Sequence, residues 1–200
     1  MPEAKSSEAT KLGTVLLKLV SDIPESKEAS SSTPDTRANS IAANAALRAA
    51  AVSGTLALPP GPIGMATILP DLAAIWHLQQ HMVSDIAACY DKREFLTQEV
   101  MIYCLFRHGA AMLVRDLVVR VGERVLIRRV ALRTIQRTLQ KVGIQVTQKV
   151  IGKAVSRYVP ILGAVGVGGY SYYDTKCVGT TAIELFSNPI DIEADTTAIW

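Results

Sequence analysis

The sequence predicts an all-α fold with a single compact multi-helix domain. Apolar residues recur at spacings of three and four, helix-start and helix-stop residues bracket these segments, and no apolar-polar alternation of useful length indicates strands. A chain of 200 residues is long enough to bury one core. We therefore expect a helical domain over residues 38–186, a flexible N-terminal arm and Ser-rich linker over 1–37, and a short acidic tail over 187–200.

Two helices are expected in the first half of the domain. The Ala-rich run 38–53 has high helix propensity and stops at Gly54. A second helix is expected over residues 71–90. Asp91, with Glu94 three residues later, resembles a capping box and predicts the start of the next helix.

The segment between these two helices carries no charge from residue 49 to residue 70, a run of 22 residues. That length could span a bilayer by count alone. Pro59, Pro60 and Pro62 would break a regular helix in its middle. The composition favours a buried turn between helices, with a re-entrant or interfacial hairpin as the alternative.

Charge is segregated along the chain. Between Arg107 and Arg157 there are twelve lysines and arginines against two acidic residues, a net charge of +10. Because the whole chain carries +3, the remainder carries −7. Such an imbalance points to anionic partners or to pairing within the chain.

An apolar seam runs through this basic stretch at helical spacing. Eight of its nine positions are apolar, which predicts packing within the chain, and glycines at 122, 143 and 152 predict two or three helical pieces. The seam comprises Val118, Val121, Val125, Arg128, Leu132, Ile135, Leu139, Val142 and Val146.

The last apolar segment predicts a helix that begins near Pro160 and ends at about Phe186. Its glycines fit neither of the common nucleotide-binding spacings. Its small residues would instead let two helices approach closely. These are Gly163, Ala164, Val167 and Gly168.

The basic stretch is the candidate binding surface. On a peripheral membrane protein its cationic groups would lie near anionic headgroups while apolar neighbours enter the interface. Pairing with the chain's own acids, including Asp191, Glu193 and Asp195, is the structural alternative. Nucleic acid is the weaker partner, because no aromatic residue lies between 107 and 157 to stack on bases. The predicted binding residues are Arg120, Arg124, Arg128, Arg129, Arg133, Arg137 and Lys141.

His77 and His81 are the best metal candidates, since a spacing of four places them on one helix face. Asp85 and Cys89 continue that row, but eight residues of helix separate His77 from Asp85 by roughly 12 Å. A tight site would therefore need ligands from another helix. No catalytic motif is found, so neither an enzyme nor a cofactor is predicted.

Three cysteines without CxxC spacing and an N-terminus without a secretory signal predict reduced thiols and a cytoplasmic location.

Two segments resemble the EcsC-like family. Residues 54–90 contain LPPGPIGMATILPDLAAIWHLQQHMVSDIAACY, and residues 158–186 read YVPILGAVGVGGYSYYDTKCVGTTAIELF. The resemblance implies a bacterial, mainly helical domain, named for its gene neighbourhood beside an ABC transporter and suspected of membrane association. It implies no established biochemical activity and no functional residues.

The sequence thus predicts a non-enzymatic binding or accessory protein, peripheral on the inner face of the cytoplasmic membrane through a basic helical face. The alternative is a helical scaffold or regulator that binds a protein partner or self-associates as a homo-oligomer through the seam. A metal-binding protein using His77 and His81 comes third.

Overall fold

A computed structural model of the chain describes residues 16–18, 20–56, 68–153 and 160–193; the side chains at 56, 68–71, 145–153 and 160–165 are outside that description. Residues 16–18 and 20–21 are helical. The elements that follow are α1 (Pro34–Leu56), α2 (Ile68–Cys89), a 3₁₀ turn (Arg93–Phe95), α3 (Gln98–Val114), β1 (Val118–Val121), β2 (Arg124–Arg128), α4 (Leu132–Lys153), α5 (Pro160–Phe186) and β3 (Ile190–Glu193).

The fold is mostly helical, as predicted, but the all-α assignment is corrected by a small three-stranded sheet. Its strand order is β1-β2-β3. β1 and β2 are antiparallel, whereas β2 and β3 are parallel. The sheet thus joins the middle of the chain to residues 190–193, which lie in the segment predicted as an acidic tail.

The predicted helical seam is wrong for the first four of its nine positions, from Val118 to Arg128. These residues form the β1-β2 hairpin, in which Val121 pairs with Arg124 across a two-residue loop. Gly122 opens that loop with φ of +63°, a conformation that tight hairpin turns require and that glycine adopts readily. Valines three and four residues apart fit a helix, but dense β-branched residues around a Gly-Glu pair also fit a hairpin.

The inner face of the sheet is largely apolar, and most of it belongs to the core. Val118, Val125, Ile127 and Ile190 are buried. The registers place all four on the same face, because Val118 is opposite Ile127 and Val125 is opposite Ile190. The hairpin is therefore held to the helices by hydrophobic burial.

Helices α1, α2 and α5 form the main helical layer, in which the most extensive contact joins α1 to α5. A Cβ added at Gly168 would lie 2.9 Å from the carbonyl oxygen of Ala50, and one added at Gly179 would lie 2.7 Å from the Cβ of Ala42. The predicted close approach of small residues is thus confirmed at Gly168. Gly163 and Ala164 lie in the first turns of α5, whose side-chain contacts are outside the description.

Helix α3 connects this layer to the sheet, and its start corrects a second prediction. The cap is Thr97, whose side chain accepts a hydrogen bond from the backbone N–H of Val100. Asp91 lies instead in a turn with φ of +57°. Between Asp91 and Thr97 the chain forms the short 3₁₀ segment, so the predicted capping box does not begin the next α-helix.

Residues 22–31, predicted as part of a flexible linker, contain neither helix nor strand but are hydrogen-bonded to α2. Gln80 donates to the carbonyl of Asp22, Ser84 donates to the carbonyl of Pro24, and Ser26 donates to Asp85. These bonds fasten the segment along the helix and satisfy the polar side chains of Gln80 and Ser84, which are buried.

None of the helices, over the residues described, is long and apolar enough to cross a membrane. The turn predicted at Pro59, Pro60 and Pro62 lies outside the described residues.

The α1-α5 contact is tested by a matched pair of glycines. Gly168→Ala would push a methyl group against the Ala50 backbone, whereas Gly169→Ala meets no atom within 4 Å. We expect Gly168→Ala to be less stable than Gly169→Ala by about 1–3 kcal/mol in urea unfolding. Equal stability of the two variants would mean that α1 and α5 are not in close contact.

Candidate anionic-surface binding face

The outer face of the sheet pairs two of the predicted arginines with acids of the last strand. Arg124 Nη1 lies 3.1 Å from Asp191 Oδ2, and Arg128 Nε lies 3.0 Å from Glu193 Oε2. The parallel register, with Arg128 opposite Glu193, brings these charges together. This is the internal pairing that the sequence left open, and it neutralises Arg124 and Arg128; Asp195 lies outside the described residues.

Arg120 belongs to the other face of the sheet. It is opposite Val125, whose side chain is buried, so Arg120 shares the inner face rather than the face of Arg124. Arg120 lines a cleft with Tyr103 and Arg107 of α3. Arg129 is exposed in the link between β2 and α4. The predicted surface is therefore divided among separate faces.

The remaining basic residues lie on α4. Arg133, Arg137 and Lys141 are exposed and follow one another at spacings of four, so they form one row along the helix. The sequence of α4 contains no acidic residue. Within the described ranges, none of the three has an ion-pair partner. Ile144, 46% exposed, lies three residues after Lys141 and seven after Arg137, and so shares their face.

The opposite face of α4 is buried. Ile135, Leu139 and Val142 belong to the core, as the second part of the seam predicts. Just before α4, the backbone N–H of Val130 donates to the carboxylate of the buried Glu99 at 3.2 Å. Packing and this bond together fix which face of α4 is presented outward.

His77 and His81 are both exposed on α2, as neighbours in one row. Asp85 and Cys89, which continue that row, are not available as ligands. Asp85 accepts a hydrogen bond from Ser26, and Cys89 is buried. Burial raises the pKa of the Cys89 thiol, which disfavours the thiolate that a metal would need. Among the residues described, no three His, Cys, Asp or Glu side chains converge on a common point. The histidines are thus brought together without a third ligand.

A polar cluster that the sequence does not predict lies between α2, α3 and α5. Gln79 is fully buried and donates from Nε2 to Asp174 Oδ2 at 2.8 Å and to Thr175 at 3.1 Å. His108 Nε2 lies 2.6 Å from the other oxygen of Asp174. Within the described chain, Gln79 Oε1 has no hydrogen-bond partner. Ile75 and Gln79 are four residues apart, so helical spacing places Gln79 on the same face of α2 as an apolar residue. This spacing is the signal that could have predicted the burial of Gln79.

No family model, no curated protein and no solved structure matches the chain. The resemblance to the EcsC-like family therefore stays a prediction.

The pairing on the outer sheet face predicts a small contribution to stability. Because both pairs are well exposed, the double variant Arg124→Gln/Arg128→Gln should lower the free energy of unfolding by at most about 2 kcal/mol. Ile127→Ala, which removes a fully buried side chain from the same strand, should cost about 2–5 kcal/mol. Urea unfolding of the two variants measures both, and a larger loss in the arginine variant would contradict this division of roles.

Proposed function

We propose that the protein binds peripherally to anionic membrane surfaces on the cytoplasmic side, through the basic face of α4, and acts there as a non-enzymatic accessory protein. The observation that carries the proposal is the row of Arg133, Arg137 and Lys141 on a helix without acids, with exposed Ile144 on the same face. An exposed cationic row around an apolar side chain is typical of helices that lie in a membrane interface.

The exposed charges of α4 would make a measurable contribution to binding. Each basic residue near an anionic leaflet contributes about 1 kcal/mol, so the three exposed residues contribute about 3 kcal/mol, roughly a hundredfold in affinity. The paired Arg124 and Arg128 contribute less, because Asp191 and Glu193 offset their charge. The attraction is electrostatic and should weaken when salt shortens the Debye length.

Two alternatives have less support. Nucleic acid would be held by the same charges, but α4 offers no aromatic side chain for stacking. Self-association through the seam would need its apolar residues at the surface, whereas Ile135, Leu139 and Val142 are buried within the chain. The resemblance to the EcsC-like family agrees with membrane association and adds nothing about individual residues.

Vesicle flotation tests the proposal. The protein should float with vesicles rich in phosphatidylglycerol at low salt, and should stay unbound with neutral phosphatidylcholine vesicles. High salt should release it. The triple variant Arg133→Gln/Arg137→Gln/Lys141→Gln should bind at least about tenfold more weakly, because each lost charge removes about 1 kcal/mol.

A charge-matched control separates the α4 face from net charge. The variant Arg115→Gln/Arg124→Gln/Arg128→Gln also loses three positive charges, but from arginines that lie within 4 Å of acidic side chains. It should retain most of the binding. Equal loss in the two triple variants, or no binding of the wild-type protein to anionic vesicles at low salt, would refute the proposal.

A further inference from the structure

A small cleft lies between α3, α5 and the inner face of the sheet. Its polar lining comes from Tyr103 and Arg107 of α3, Arg120 of β1, and Thr181 and Glu184 of α5. Its volume is about 50 Å³, where one water molecule needs roughly 10–15 Å³ by the same measure. The cleft therefore has room for a group the size of a few water molecules.

One arginine of the cleft is held in place by its neighbours. Arg107 Nη1 lies 2.6 Å from Glu184 Oε2, and its guanidinium lies 5.5 Å from the centre of the Tyr103 ring. The carboxylate and the aromatic face restrict the guanidinium, and the remaining N–H groups of Arg107 are available to a ligand. Glu184 compensates the charge of Arg107.

The other arginine supplies uncompensated charge. Arg120 reaches the cleft because β1 turns position 120 to the same side as Val118, which also lines it. In the part of the chain that the structure describes, Arg120 has no acidic partner. Two arginines against one glutamate leave the cleft with a net charge of +1.

Tyr103 adds a neutral donor. Burial raises the pKa of its hydroxyl, although Arg107 and Arg120 act in the opposite direction, so the group stays protonated at neutral pH. Over the described residues that hydroxyl has no hydrogen-bond partner. The cleft is thus lined by a guanidinium and a phenol, neither of which has an acceptor among the described residues.

We propose that this cleft is a binding site for a single phosphate group, which accepts hydrogen bonds from Arg120, the Tyr103 hydroxyl and the outer N–H groups of Arg107. Planar guanidinium groups match phosphate oxygens in pairs, and such charge-assisted bonds are about twice as strong as neutral ones. The phosphate is free in solution or belongs to a phosphomonoester headgroup. The site is separate from the α4 face and does not depend on it.

Amide NMR during a titration with inorganic phosphate, at constant ionic strength, tests the site. The wild-type protein should show saturable shifts at the amides of Tyr103, Arg120 and Thr181. Arg120→Gln should weaken binding by about tenfold or more, and Tyr103→Phe should weaken it by a smaller factor. Arg124→Gln, an arginine of the same hairpin that faces the other side, should bind phosphate as the wild type does.

Shifts that do not saturate, that lie outside the cleft, or that persist unchanged in Arg120→Gln would overturn the proposal. The α4 triple variant should bind phosphate normally, so failure of the cleft and failure of the membrane face are distinguishable.

Two further probes identify the source of the phosphate. Vesicles of phosphatidic acid and of phosphatidylglycerol, matched in surface charge, are compared in flotation with wild type and Arg120→Gln. A preference for phosphatidic acid that Arg120→Gln abolishes identifies a lipid headgroup. Saturable phosphate binding without that preference identifies a soluble phosphate.

Discussion

The close approach of α1 and α5 is the constraint on which the other parts of the molecule depend. Gly168 allows the α5 backbone to lie against the carbonyl of Ala50, where a larger side chain would clash. The end of α5 is fixed in turn by Lys92, whose ammonium donates to the carbonyls of Phe186 and Asn188, at 2.7 Å each. Because β3 begins two residues after Asn188, the position of α5 determines where the third strand pairs with the hairpin.

The position of β3 determines which basic residues of the chain form ion pairs. With β3 beside β2, Asp191 and Glu193 lie next to Arg124 and Arg128 and offset them. Helix α4 has no corresponding acids, and its row of cations faces outward with Ile144. A stretch that is strongly basic in sequence is therefore divided into a sheet face whose charges are compensated within the chain, a small cleft around Arg120, and a helix face whose cations have no ion-pair partner among the described residues.

The helices are predicted well where apolar residues keep helical spacing over a long segment that is bounded by helix-start and helix-stop residues. The helix over 160–186 agrees with its prediction, and α2 begins within a few residues of the expected start. The hairpin was not predicted because the valines at 118, 121 and 125 fit the spacing of a helix, although valine is equally common in short strands. Strand β3 could not be predicted from local sequence, since the strand that it pairs with lies more than sixty residues earlier. Pairing of Arg124 and Arg128 with the tail acids is one of the alternatives that the sequence predicts. Only the strand register distinguishes these two arginines from the α4 row, which has no ion-pair partner in the described part of the chain.

The most direct test of this division is to measure which amides approach a lipid surface. Anionic bicelles of phosphatidylglycerol, which carries no phosphomonoester headgroup, broaden the NMR signals of nearby residues when they contain a gadolinium-chelating lipid. We expect strong broadening over residues 133–144 and little over 119–128, with loss of the effect at high salt. Broadening centred on the hairpin, with α4 unaffected, would contradict it.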